Sequence, residues 1–135
     1  MRNVRTLLKL AQVAFWCAVM FSFVSAVMPA SEAPHLFPWD KASHVCAFYV
    51  LTFLAIAAFP LSELPWIGVG LSAFGALIEV VQGLPFVHRD KDFWDWVADT
   101  IAILSVIGPL LLASWRSHAQ FSVINDRLNG KERSR

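Results

Sequence analysis

A group of acidic and amide side chains lies within a stretch of sequence that is otherwise apolar enough for a lipid bilayer. The stretch runs from Gly75 to Asp99, and its polar residues include Glu79, Gln82, Arg89, Asp92, Asp95 and Asp99. Charged side chains in a membrane segment cost about 2.5 to 3.5 kcal/mol each at mid-membrane on insertion scales. Because charged residues are rarely kept at such a cost without a function, we treat these residues as a candidate functional site.

Helical spacing aligns polar side chains along one face of each of three segments. On an α-helix, residues three or four positions apart are neighbours. The three sets are Asp40, Lys41, His44 and Phe48; Ser72, Gly75, Glu79 and Gln82; and Asp92, Asp95 and Asp99. The sequence therefore predicts one polar cluster where the second segment begins, the third ends and the fourth begins.

The elements that position this cluster are long apolar runs. The composition is 57% hydrophobic and only 16% charged, with a mean hydropathy of +0.56, which is typical of an integral membrane protein. The runs cover about residues 7–28, 42–60, 66–84 and 93–115, and about 20 apolar residues suffice to cross a bilayer. We expect an all-α polytopic bundle of four transmembrane helices.

The distribution of basic residues predicts the orientation of the bundle. The two termini hold eight of the eleven Lys and Arg residues, and the loops at 29–42 and 85–92 hold only three. Since positively charged flanks stay inside, both termini are expected to be cytoplasmic. We therefore expect a multi-pass membrane protein, which in a bacterium would lie in the inner (cell) membrane, with two outer loops and a basic cytoplasmic tail at 116–135.

The first apolar run has two interpretations. Residues Val24 to Ala26 fit the small-residue cleavage site of a secretory signal peptide. The apolar block is longer than the usual signal core of about 7 to 15 residues, which favours a retained first transmembrane segment, or signal anchor, over 1–28. Cleavage after Ala26 would leave three spans in 29–115 and the same outer face.

Three motifs in the middle of the chain resemble the VanZ-like family of membrane proteins. They are Asp-Lys-x-x-His at Asp40, Lys41 and His44, Gly-x-x-x-Glu-x-x-Gln at Gly75, Glu79 and Gln82, and Arg89 followed by Asp95-x-x-Ala98-Asp99. The resemblance covers about residues 38–105, although Phe48, Asp99 and Ala102 stand where the family often has Tyr, Asn and Gly. It implies a small bacterial membrane protein with a VanZ-like three-helix core over 29–115, whose namesake is associated with teicoplanin resistance.

Three uses of the cluster stay open. It could be a structural clamp, in which Arg89 or Lys41 neutralises a carboxylate and Gln82 bridges helices. It could bind an anionic lipid phosphate, although seven acids face three bases on that side. It could hold a divalent cation, because hard ions favour carboxylate ligands; the candidate ligands are Glu79, Asp95, Asp99 and His44.

The leading expectation is a non-enzymatic protein of the cell envelope that modulates how lipids or teicoplanin-type glycopeptides interact with the membrane. The alternative is a metal-assisted enzyme acting on a lipid-linked envelope substrate. Membrane lipids are the expected partners, and no nucleic acid is expected, since the basic termini fit orientation and contact with anionic lipid. No cofactor is expected beyond a divalent cation.

Two residue types give further expectations. Cys17 and Cys46 lie inside apolar runs without metal-ligand spacing, so we expect buried thiols. Tryptophans mark both membrane boundaries in many membrane proteins. The candidates here are Trp39, Trp66, Trp94, Trp96 and Trp115.

Overall fold

Helices make up nearly all of the chain described by a computed structural model. The backbone is described for residues 2–29, 40–60, 62–85, 87 and 92–133, and the side chains for residues 3–29, 42–60, 62–85, 87 and 92–117. The helices are α1 (Arg2–Val27), α2 (Asp40–Ala58), α3 (Leu64–Gln82) and α4 (Phe93–Arg133). No strand occurs within these ranges, so the predicted all-α fold is confirmed.

Three segments are long and apolar enough to cross a membrane: Asn3–Val27 of α1, Leu64–Gln82 of α3 and Phe93–Ser117 of α4. The apolar part of α2, Ala42–Ala58, is shorter. The whole of α2 has 19 residues, which at 1.5 Å per residue is about 28 Å, close to the thickness of the hydrocarbon core. A membrane protein is therefore the class that fits, and the orientation stays a prediction.

Side-chain contacts at the two ends show that the helices alternate in direction. The amide of Gln82, at the end of α3, donates to the carbonyl oxygen of Ala26, at the end of α1, over 2.9 Å. At the opposite end, Gln12 of α1 donates to the carbonyl of Ala58, the last residue of α2, over 3.2 Å. The starts of α2 and α4 therefore lie beside the ends of α1 and α3.

Local sequence explains where the helices begin and end. Proline lacks the N–H that a helix interior needs, and Pro29 and Pro60 each follow a helix by two residues. Pro65 occupies the first turn of α3, where that N–H is not required. Asp92 precedes α4, and its carboxylate accepts from the N–H of Trp94 over 2.9 Å, as an N-cap does.

The last helix is longer than the sequence analysis expected. The fourth segment was predicted to end near Trp115, with a polar tail after it, but α4 continues to Arg133. The only proline inside α4 is Pro109, and membrane helices tolerate proline when neighbouring groups satisfy the freed carbonyl. Between Leu110 and Arg133 a single glycine, Gly130, is the only strong helix breaker.

The expectation of buried thiols is wrong for Cys17, which is exposed, while Cys46 is partly buried. Helix α1 packs through a narrow stripe that includes Phe15 and Ala26, and Cys17 lies on the opposite side of the helix. Trp66, Trp94 and Trp115 are 67 to 78% exposed, as residues of a boundary belt are.

Candidate functional site

Polar side chains from three helices come together, largely buried, at the end of the bundle where α2 and α4 begin. Each of these side chains is at most 9% exposed. The three helices that carry them, together with α1, surround the same end of the core. The buried members are His44 of α2, Glu79 and Gln82 of α3, and Asp95 and Asp99 of α4. The sequence analysis had predicted, from helical spacing, that these residues lie on helix faces that meet in one cluster.

His44 and Asp99 join α2 to α4. The Nδ1 atom of His44 lies 3.7 Å from Oδ2 of Asp99, and their side chains are only 9% and 2% exposed. This distance is longer than a good hydrogen bond but short enough for an ion pair when the imidazole is protonated. The pair therefore places a titratable group directly beside the most deeply buried carboxylate of the cluster.

Glu79 ties the end of α3 to the start of α4. Its Oε2 atom accepts a hydrogen bond from the backbone N–H of Asp92 over 3.2 Å. Asp92 in turn caps α4 through its own carboxylate. One oxygen of Glu79 is thus fixed by the backbone of the helix start, which also fixes the direction of the other oxygen.

Gln82 bridges two helices, as the sequence analysis expected, and the helix that it reaches is α1. It donates to the carbonyl of Ala26, near the end of α1, in a buried bond. Ala26 is also the last residue before the cleavage site in the signal-peptide interpretation of the first segment. The first helix is therefore an integral part of this end of the bundle.

Trp96 and Thr100, which the sequence analysis did not assign to the cluster, lie beside it on the side toward the middle of the bundle. Trp96 turns inward, and its indole Nε1 donates to the carbonyl of Ser72 over 3.0 Å. The hydroxyl of Ser72 lies 3.0 Å from that of Thr100. The signal that could have revealed Thr100 is its position four residues after Trp96, on the face that α4 turns toward α3.

Gly75 permits the close approach of the helices at this layer. A Cβ atom at this position would lie 3.3 Å from Cζ of Phe48, 3.4 Å from Cδ1 of Trp96 and 3.5 Å from Oδ2 of Asp99. The carboxylate of Asp99 therefore lies almost against the backbone of α3. Small residues at helix interfaces in membranes allow this kind of contact.

Two carboxylate oxygens in the cluster are buried without a hydrogen-bond partner, Oε1 of Glu79 and Oδ1 of Asp99. Glu79 is also within electrostatic range of Asp95, Asp99 and His44. Among the described side chains at this end, four carboxylates face one imidazole, since the described bases Arg5, Lys9 and Arg116 all lie at the other end. The described part of the site is therefore strongly acidic.

Three residues predicted for the cluster cannot be placed in it. Arg89 lies outside the described residues, and Asp40 and Lys41 lie outside the described side chains, although their backbone forms the first turn of α2. A clamp between Arg89 or Lys41 and a carboxylate stays a prediction. Within the described ranges, no three His, Cys, Asp or Glu side chains form a group that could hold a metal ion.

The other end of the bundle has a different kind of cavity. An apolar groove of about 340 Å³ lies between α1, α2 and α3, and its lining includes Phe15, Phe59, Trp66, Gly70 and Phe74. Ser62 is the only polar side chain in this lining. The groove offers no group for acid-base or ligand chemistry, so the polar cluster is the candidate site.

Comparisons of the chain with protein families, with curated proteins and with solved structures find no match.

Proposed function

We propose that the chain is a VanZ-like integral membrane protein of the bacterial cell envelope with both termini in the cytoplasm. Its polar cluster then faces outward, beneath the loops at 29–42 and 85–92. In this role it does not catalyse a reaction. It changes how lipids, or compounds that target the envelope such as teicoplanin-type glycopeptides, interact with the membrane.

One observation carries the proposal: a buried acidic cluster with two unpartnered carboxylate oxygens lies at one end of an otherwise apolar bundle. A buried carboxylate destabilises the fold unless a partner compensates its charge. Membrane proteins therefore usually retain such groups for a function. The cluster's excess of negative charge attracts cationic groups, which many membrane-active compounds and lipid head groups carry. The proposed outcome is altered retention of such molecules at the outer face.

A resistance assay in living cells tests the proposal. The full chain is expressed in a teicoplanin-susceptible bacterium, and the inhibitory concentration and the retention of fluorescent glycopeptide are measured. We expect the wild type to raise the inhibitory concentration and the Glu79→Gln, Asp99→Asn double variant to lose the effect. Glu63→Gln is the matched control, because Glu63 is an exposed carboxylate at the opposite end. Equal behaviour of the empty vector, wild type and double variant, at equal expression, would reject the proposal.

The orientation has its own test. Reporter fusions in the loop at 83–92 should be active only as an outer-face reporter, and fusions after Arg135 only as a cytoplasmic reporter. Since eight of the eleven bases lie in the termini, the positive-inside rule requires this arrangement. A loop reporter that is active in the cytoplasm would place the cluster on the inner face.

A metal-assisted enzyme acting on a lipid-linked envelope substrate is the second candidate. The unpartnered oxygens of Glu79 and Asp99 favour it, because carboxylates are the ligands that hard cations prefer. A bound ion could activate water or polarise a phosphoryl oxygen. Incubating the purified chain with lipid-linked envelope precursors and a divalent cation, and looking for a released head group, separates the two candidates.

A further inference from the structure

Two buried carboxylate oxygens of the polar cluster are not satisfied by the residues that the structure describes. Oε1 of Glu79 and Oδ1 of Asp99 have no hydrogen-bond partner, and the two residues are only 5% and 1% exposed. An ionised carboxylate taken out of water is very costly unless a positive charge or several donors replace the water. A cation at this position would remove that cost.

The donors found near these carboxylates serve their other oxygens. The N–H of Asp92 is bound to Oε2 of Glu79, and Nδ1 of His44 lies near Oδ2 of Asp99. The remaining oxygens, Oε1 and Oδ1, are buried within the same cluster. Each carboxylate thus has one oxygen near a protein donor and one oxygen with no donor among the described residues.

The carboxylate of Asp99 packs against α3 one turn before Glu79. Oδ2 of Asp99 lies 3.5 Å from the Cβ position of Gly75. Glu79 is four residues further along α3, about 6 Å along the axis and on the same face. Magnesium binds oxygen at about 2.0 to 2.1 Å, keeps several of its waters, and is commonly held by one or two carboxylates together with phosphate oxygens.

We infer that Glu79 and Asp99 bind one hydrated divalent cation of the magnesium or calcium class. Water or the phosphate of an anionic lipid fills the remaining coordination positions. The inference rests on the proposed function, because it names the ligand of the same cluster. It also explains how an acidic site can face anionic lipids: the ion bridges carboxylate and phosphate.

Binding of manganese, a paramagnetic substitute for magnesium, tests the inference directly. The full chain is purified with a chelator and placed in nanodiscs of zwitterionic lipid, and bound Mn²⁺ is counted by electron paramagnetic resonance. We expect about one Mn²⁺ per chain, displaced by excess Mg²⁺, and loss of this ion in the Glu79→Gln, Asp99→Asn double variant. Glu63→Gln should bind as the wild type does. Wild-type binding no higher than that of the double variant would overturn the inference.

Thermal unfolding separates an ion site from a purely structural pair. In chelator, Asp99→Asn should melt at or above the temperature of the wild type, because the variant lacks an uncompensated charge. In Mg²⁺, the wild type should melt higher than the variant, whereas NaCl of equal ionic strength should not reproduce the shift. A variant that is destabilised by the same amount with and without Mg²⁺ would show that Asp99 acts only as a structural partner of His44, against the inference.

Lipid composition identifies the remaining ligands. If lipid phosphate completes the site, the Mn²⁺ affinity of the wild type should rise when the nanodiscs contain anionic phospholipid. This rise should be larger than that of the double variant, which measures the effect of surface charge alone. Equal rises would assign those positions to water, with the carboxylate site intact. An intact ion site without any glycopeptide phenotype would reject the proposed function alone, and a cluster-dependent phenotype without ion binding would reject this inference alone.

Discussion

The two ends of the bundle are held together by different kinds of contact. At the polar end, polar contacts cross between helices, such as the hydrogen bond from Gln82 to Ala26 and the 3.7 Å approach of His44 to Asp99. At the other end, apolar side chains interlock: the rings of Phe15 and Phe59 lie 5.3 Å apart. The side chain of Gln12 also forms a hydrogen bond at this end, but the surface around it is apolar.

The energies of these contacts show what the difference means. Interhelical hydrogen bonds in membrane proteins average only about 0.6 kcal/mol, whereas truncating a large buried apolar side chain costs about 2 to 5 kcal/mol in the cores of soluble proteins. The polar end also contains two unpartnered carboxylate oxygens, which oppose folding. We therefore expect the apolar packing to contribute more to stability than the polar end does.

The largest effect should follow from a cavity in the apolar packing. Ile103 is 1% exposed and Ile101, two residues before it, is 61% exposed. We expect Ile103→Ala to lower the free energy of unfolding by about 2 to 5 kcal/mol, measured by SDS titration in mixed micelles, while Mn²⁺ stoichiometry stays near that of the wild type. Ile101→Ala is the matched control. If the two variants were equally stable, the apolar packing would not be the main support of the bundle.

A smaller effect is expected where the polar end depends on close packing. Gly75→Leu would push against Phe48, Trp96 and Asp99, all within 3.5 Å of the new Cβ, at a cost of about 1 to 3 kcal/mol. Nothing lies within 4 Å of a Cβ at Gly70, so Gly70→Leu should leave the unfolding free energy nearly unchanged. The same titration measures both. A stable Gly75→Leu protein would mean that the helices can separate at this layer.

Removal of the bond between α3 and α1 should have a local effect. Gln82→Leu loses the donor to the Ala26 carbonyl, which we expect to cost about 1 kcal/mol, within the measured range for membrane proteins. Limited proteolysis and cysteine crosslinking should show α1 loosened at the polar end. Gln12→Leu, at the opposite end, is the control and should loosen α1 there instead. Identical crosslinking patterns in the two variants would contradict separate attachment points.

The smallest effect is expected for the hydroxyl pair of Ser72 and Thr100, which lies 3.0 Å apart. A double-mutant cycle with Ser72→Ala and Thr100→Val should give a coupling of about 0.6 kcal/mol. A coupling above about 2 kcal/mol would reverse the comparison, since polar contacts would then rival the apolar packing in strength.

The sequence was sufficient to predict the segments and their polar faces. Apolar length predicted four helices, of which three are long and apolar enough to cross a membrane, and the three- and four-residue steps placed His44, Glu79 and Asp99 on faces that meet. Both features depend on residues close together in the chain, which is the information that periodicity contains.

Contacts that depend on how each helix is rotated could not be predicted in this way. Cys17 lies in a segment that is apolar on all sides, so the sequence did not show whether it turns inward. Trp96 was assigned to the membrane boundary because of its place near the start of the fourth segment. The partner of Gln82 is a backbone carbonyl, and every residue supplies one. The length of α4 was missed because polar residues after Trp115 were taken to mark its end.

The hydrogen bond between Gln82 and Ala26 also has a consequence for how the protein is made. The two residues are 56 positions apart, and ribosomes add about 5 to 20 residues per second. The end of the first helix is therefore synthesised roughly 3 to 11 seconds before its polar partner. During that interval it must remain in the membrane on the strength of its own apolar surface, and the closing of this end is a late step of biogenesis.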